Sequence, residues 1–252
     1  MAKKKKRSAA LVPLRNFKPI TNERHARKAT SEFHNEKGDR SSYQAASALL
    51  TDLHKTTSKF VFRTITKLGL RPKTGEEKLR TLEVGAVNTQ LLESSFLMVT
   101  AIDLKSRHPL IKECDFFNVP ASQEYAVLVL AMVLNCVPTA EKRGEMLLLC
   151  RKHLQLGGLM FLVLPSRCFP RDTRERFEIG IMEELGFEIV LRESTPKVFS
   201  TCFRAVREPE LLHPLTFSDG AGLLDVVVVV ERAITPRVKR IKESVSHYSK
   251  RD

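Results

Sequence analysis

Leu79-Arg80-Thr81-Leu82-Glu83-Val84-Gly85-Ala86 is a short apolar-rich run that breaks on a glycine, and eighteen positions after Gly85 a second run, Met98 to Asp103, closes on an acid. A glycine directly after a buried first strand lets the backbone turn sharply and approach a ligand with no Cβ in the way. In nucleotide-binding α/β folds an acid at the end of the second strand accepts hydrogen bonds from ribose hydroxyls. Only Gly85 stands where a GxGxxG fingerprint would have three glycines, so the phosphate cradle is missing. That disfavours a pyrophosphate cofactor and favours S-adenosylmethionine, which carries a ribose and no phosphate. Each residue has a plainer reading beside this one. Gly85 also suits an ordinary strand-to-helix turn, and Asp103 a helix cap. Glu83, inside the same run, is counted with them as a cofactor candidate.

Outward from this stretch, strands and helices alternate. Gln90 to Phe96 reads as a short helix or turn, and Ile111 to Phe116 holds a weak third strand. Tyr125 to Val133 is a nearly continuous apolar run, as expected of a central strand covered on both faces. Thr139 to Leu156 predicts an amphipathic helix stopped by Gly157-Gly158, and Leu159 to Leu164 a buried strand halted by Pro165. Asp172 to Leu185 is a further helix, ended at Gly186. Phe187 to Arg192 and Phe199 to Val206, joined by Glu193 to Val198, predict an antiparallel hairpin at the sheet edge. Leu224 to Glu231 is a strand pattern without an assigned place. The fold class expected is therefore α/β, a mostly parallel doubly wound sheet with an antiparallel edge hairpin.

Before the first strand, Ala45, Ala46, Leu49, Leu50 and Leu53, then Phe60, Val61, Ile65 and Leu68, recur at helical spacing. The expected organisation is a flexible basic arm over 1–40, N-terminal helices over 41–78, the main domain over 79–231 and a basic tail over 232–252. The net charge of +13 lies in the ends. Residues 1–40 hold 12 Lys/Arg against 4 Asp/Glu, and residues 231–252 hold 7 against 3, which leaves the 190 between them nearly neutral. Such arms suit an extended polyanion, and the run Lys3 to Arg7 equally suits nuclear targeting. No apolar segment of signal-peptide length follows that run, and none reaches the roughly 18 residues a bilayer span needs, so neither secretion nor a membrane is expected. Five scattered cysteines without a CxxC pair argue against a zinc site or a disulfide framework; no metal is expected, and a reducing compartment is.

Three further positions fall where strands end. Asp115, ahead of Phe116-Phe117, suits a contact with an adenine ring, or equally a surface acid beside core phenylalanines. Asn135, after the central strand, is placed to touch a target base through its amide, while either it or Thr139 could simply cap the next helix. Arg167, after Pro165-Ser166, could meet phosphate on the same rim or be solvated.

These segments together resemble the fungal 25S ribosomal RNA adenine-N1 methyltransferases. The resemblance runs through Tyr43-Gln44, Ala46-Ser47, Ser58-Lys59, the block Leu79 to Ala86, Ile102-Asp103-Leu104 and Cys114-Asp115-Phe116. It continues with Val133-Leu134-Asn135-Cys136-Val137-Pro138, Arg143-Gly144-Glu145-Met146-Leu147 and Phe161-Leu162-Val163-Leu164-Pro165, in order over about residues 42 to 206. It implies a Rossmann-like class I methyltransferase that holds S-adenosyl-L-methionine through Gly85 and Asp103; Glu83 and Asp115 as further cofactor contacts, Asn135 as the residue that positions the base, and the N-terminal helical extension are expected from their places in the sequence. It further implies an adenine of large-subunit rRNA, free or in a pre-ribosomal particle, as the target during ribosome biogenesis. The location expected is the nucleus and nucleolus, and a monomer is expected. The family is also similar to an animal S-adenosylmethionine sensor, so the alternative is a non-catalytic cofactor-binding protein acting through a protein partner.

Overall fold

The computed structural model describes residues 57–106, 108–169, 173–209, 213–218, 220 and 224–228. Seven strands form the main sheet: β1 Leu79–Val84, β2 Leu97–Asp103, β3 Lys112–Glu113, β4 Tyr125–Ala131, β5 Leu154–Pro165, β6 Phe187–Ser194 and β7 Val198–Ala205. Their order is β3-β2-β1-β4-β5-β7-β6. Strands β1 to β5 are parallel, and β7 runs antiparallel to both β5 and β6, which makes the expected edge hairpin. The chain leaves β1 toward β2 on one side and β4 toward β5 on the other. The order therefore reverses between β1 and β4, and the crevice beyond their carboxyl ends is where open α/β sheets take ligands.

Strand periodicity sorts the core into two faces. Leu82, Val84, Leu128, Leu130, Met160, Leu162 and Leu164 are buried on one. They lie beneath α2 (Ala140–His153), beneath α3 (Thr173–Phe177), which continues as a π-helical turn over Glu178–Glu183, and beneath a separate ribbon of β8 (Leu215–Phe217) and β9 (Val226–Val228). Val127, Val129, Ala131, Leu159, Phe161 and Val163 are buried on the other face, with Phe60, Val61 and Ile65 of helix α1, residues 57–67. The Phe60 ring meets Phe161 edge-on with centroids 5.6 Å apart, a preferred aromatic geometry.

Several expectations meet corrections here. Of the two readings of Gln90 to Phe96 the turn holds, and no α-helix joins β1 to β2 or β2 to β3 among the described residues. Helix α2 stops at His153, three residues short of the expected Leu156, because Leu154 is already extended and pairs with Tyr125. Gly157, at φ +81°, sits inside β5 where the register against β4 shifts, so the two glycines shape an irregular strand rather than end a helix. Within the pattern at Leu224 to Glu231, Val226–Val228 forms β9, which pairs with β8 and not with the main sheet, while residues 229–231 lie outside the described ones; β8 had no counterpart in the reading above. At Gly144 the α2 backbone lies against β9 so closely that a Cβ would stand 1.9 Å from the Val227 carbonyl oxygen. The basic arm at 1–40, the helical pattern at 45–53 and the tail at 232–252 lie outside the described residues.

Candidate functional site

The first half of the rim is built where β1, β2 and β3 end. Gly85 has φ +78°, a conformation that glycine adopts at little cost. Its N–H and that of Ala86 both donate to the Ile102 carbonyl, at 2.9 and 3.0 Å, which ties the turn to β2. A Cβ at Gly85 would lie 2.2 Å from Val133 Cγ2, so the glycine also makes room for the loop after β4. The turn leads into no helix, which removes the strand-to-helix reading. Asp103, 8% exposed, accepts from the Lys105 N–H through Oδ1 at 2.8 Å, and its carbonyl accepts from the Cys114 N–H at 2.9 Å. It therefore caps a turn, and the helix-cap reading fails for want of a helix. Asp115 accepts from the Phe117 N–H at 3.0 Å and so caps the 3-10 turn Phe116–Asn118; it is half-buried, with Phe116 in the core and Phe117 packed against it.

Glu83 points from β1 toward the α1 side, between Ala101 of β2 and Val129 of β4. It is 7% exposed, and its Oε2 has no hydrogen-bond partner among the described residues. Burial, which disfavours the charged form, pushes its pKa up to about 8. An unpaired buried acid costs stability, and its place beside the Gly85 turn marks it as a receiver for a donor or a cation.

The second half follows β4 and β5. Met132 takes φ +60°, uncommon for a residue with a side chain, and its N–H donates to the Val163 carbonyl at 2.8 Å. That turn throws Val133 over Gly85 and leads into the short 3-10 turn Leu134–Cys136. Thr139 caps α2, its Oγ1 accepting from the Lys142 N–H at 3.2 Å. Asn135 is thereby released from capping. Its Nδ2 donates to Cys136 Sγ at 3.4 Å, while Oδ1 is buried with no partner among the described residues. Arg143 holds the end of this loop: Nε donates to the Val137 carbonyl at 3.0 Å and a terminal N–H to the Asp225 carbonyl at 2.7 Å. Met132, Val133 and Arg143 escaped the reading of the sequence. No glycine marks the Met132 turn, and Arg143 stood out only as part of a motif.

Gly85, Glu83, Asp103, Asp115 and Asn135 thus share one rim, with Glu83 and Asn135 on the two sides of the strand-order reversal. Buried acceptors without partners at that crevice, beside a turn that lacks a phosphate cradle, fit a ligand rich in hydroxyl and ammonium groups. S-adenosylmethionine has that chemistry. Among the described residues no group of three or more His, Cys, Asp or Glu side chains could hold a metal ion.

Comparison with known proteins agrees in kind. Residues 28–218 match the family model described as 25S rRNA (adenine(2142)-N(1))-methyltransferase, Bmt2. Over 116 residues the chain is 36% identical to a protein of Schizosaccharomyces pombe named 25S rRNA adenine-N(1) methyltransferase, a match covering 42% of this chain and 43% of that protein. The matched segment therefore spans less than half of that relative's length. Among solved structures, the 1,6-didemethyltoxoflavin-N1-methyltransferase of Burkholderia thailandensis superposes with a TM-score of 0.53 at 14% identity, covering 76% of this chain and 94% of that one. The CurJ carbon methyltransferase gives 0.51 at 17% identity, over 66% and 58%. Both share the Rossmann-like class I methyltransferase fold.

Proposed function

The chain belongs to the 25S rRNA adenine-N1 methyltransferase family, Bmt2, and from that premise we propose that it methylates N1 of an adenine in large-subunit rRNA, using S-adenosyl-L-methionine. The observation that carries the reading is the composition of the crevice. A glycine turn, Asp103 and the buried unpaired Glu83 stand on one side of the reversal, and the unpaired amide oxygen of Asn135 on the other.

When bound, S-adenosylmethionine supplies an electrophilic methyl group on a positively charged sulfur. The Asp103 carboxylate would accept from its ribose hydroxyls, the buried carboxyl of Glu83 beside the Gly85 turn would take a further polar contact, and Asp115 would meet the adenine. Adenine N1 carries an in-plane lone pair, so it attacks without a general base. The protein's task is to hold the two reacting atoms in line at near-contact distance. Because N1 lies on the pairing edge, the base must be unpaired and turned out of its stack to be reached. Asn135 grips that base, with its loop fastened by Arg143. The same reading includes a pre-ribosomal particle as substrate, the basic ends of the chain as arms for RNA, action in the nucleus and nucleolus, and a monomer.

The experiment is to incubate the protein with labelled S-adenosylmethionine and large-subunit rRNA lacking its own N1 methylation, free and in particles, then map reverse-transcription arrest. A single arrest at an adenine is expected, lost in Asp103→Ala together with cofactor binding. Asn135→Ala should lower turnover while cofactor affinity stays as it was. Cofactor binding without methylation of either substrate overturns the reading and leaves a cofactor-binding protein that acts through a partner.

A further inference from the structure

We infer that the rim beside β5 is the track for the RNA backbone, with Arg167, Lys197 and the Ser194 hydroxyl holding phosphates next to the extruded base. This rests on the rRNA reading above and says which surface carries it.

The rim is electrically divided. At the ends of β2 and β3, the acids Asp103, Glu113 and Asp115 stand against Lys105 and Lys112 among the described residues, with Glu83 buried and protonated beside them. That half suits a cationic ligand. Beyond β5 the sign changes. The Pro165–Val198 pair sets the hairpin turn between β6 and β7 against the end of β5, and the Ser166 N–H donates to the Lys197 carbonyl at 3.0 Å. Arg167 and Lys197 therefore emerge from adjoining turns. Both are exposed, and neither side chain has a hydrogen-bond or ion-pair partner among the described residues.

The neighbouring buried cluster strengthens this sign. Glu178 is fully buried and is shared by two arginines: its Oε1 accepts from Arg174 Nε at 3.1 Å, and its Oε2 from Arg192 at 2.6 Å. One carboxylate between two guanidiniums leaves one positive charge under the hairpin. Arg174 also donates to Ser194 Oγ at 2.6 Å. The Ser194 side chain is exposed, and its own O–H remains available to an acceptor such as a phosphate oxygen. Unpaired cations plus an available hydroxyl beside the base-gripping loop match the contacts that position a nucleic-acid backbone.

The test is equilibrium binding of the full chain to a large-subunit rRNA transcript over a series of salt concentrations. S-adenosylmethionine affinity is measured separately by calorimetry. Two phosphate contacts on single-stranded RNA contribute about 1.4 to the slope of log affinity against log salt. Arg167→Ala/Lys197→Ala should flatten the slope by that amount and leave cofactor affinity unchanged. Lys152→Ala, an exposed cation at the far end of α2, should leave the slope as in the parent chain. A double variant whose slope and affinity equal those of a parent that does bind RNA overturns the track alone. A parent chain that retains no rRNA at any salt overturns the rRNA reading and the track with it.

Discussion

Among the described residues two glutamates are buried, one on each side of the sheet, and their surroundings could hardly differ more. Glu178, at the start of the π-helical turn that continues α3 on the face of α2, has both oxygens engaged by Arg174, Arg192 and Thr201. Glu83, on the face of α1, keeps Oε2 without a partner among the described residues. The contrast extends to how each face is covered. The α2 face is closed by segments that run on from their own strands, β4 into α2 into β5, then α3 into β6. The α1 face is closed by a helix that precedes the first strand, since the links after β1 and β2 form turns. One face has its buried charges satisfied, Arg143 and Arg151 included. The other borders the crevice and keeps an acid in reserve.

The sharpest way to probe this contrast is to remove an aromatic ring from each side. Phe203→Ala on the α2 face and Phe60→Ala on the α1 face should each cost about 3–5 kcal/mol in urea unfolding, as both rings are buried. If Phe60→Ala cost less than about 1 kcal/mol, α1 would not belong to the folding unit and the comparison would break. Next in size is Glu178→Gln, which removes the charge that two arginines share. About 1.5–3 kcal/mol should be lost, read by the same assay. Gly85→Ala follows, at about 1–3 kcal/mol, because a side chain there must adopt φ +78° against Val133. Cofactor affinity should fall with it in calorimetry.

Glu83→Gln should act in the opposite sense to Glu178→Gln, and only at high pH. The folded protein keeps Glu83 protonated up to about 8, while an unfolded chain releases that proton near 4.5. Stability is therefore fully present below the unfolded value and is lost as pH rises through the folded one. The variant should match its parent near pH 5 and exceed it at pH 9. An equal deficit at both would show that Glu83 is paired after all. The smallest effect is expected on the acid side. His153 is buried beside Phe116 and Tyr125, and burial lowers its pKa. Below the ordinary value of about 6.5 the unfolded chain takes up a proton that the folded one refuses, so stability should decline there. His153→Phe should flatten that decline in unfolding curves at pH 7.5 and 5.5.

Much of this was legible along the chain. Leu79 to Gly85, Met98 to Asp103, Tyr125 onward and the Glu193 to Val198 link all announced their elements, since alternating or continuous apolar runs and turn residues act over a few positions. The Gly157-Gly158 stop misled because a glycine pair reads alike at a helix end and in an irregular strand; the partner Tyr125 decides between them. At Asn135 and Thr139 the chain left two caps open, and the hydrogen bond from Lys142 assigns the role to Thr139.

Local chemistry therefore settled where strands begin and end, where the glycine turn lies, and which residues stand at the strand tips. Those features depend on neighbours a few residues away, and such neighbours are visible in one dimension. Folding in three dimensions chose the rest. It brought α1 over the face that no crossover helix covers among the described residues, turned Met132 to a positive φ, packed β9 against Gly144, and left Glu83 Oε2 and Asn135 Oδ1 without partners among the described residues while completing the hydrogen bonds of Glu178. Each of those outcomes turns on which distant groups meet, and burial makes a missing partner consequential because water cannot take its place.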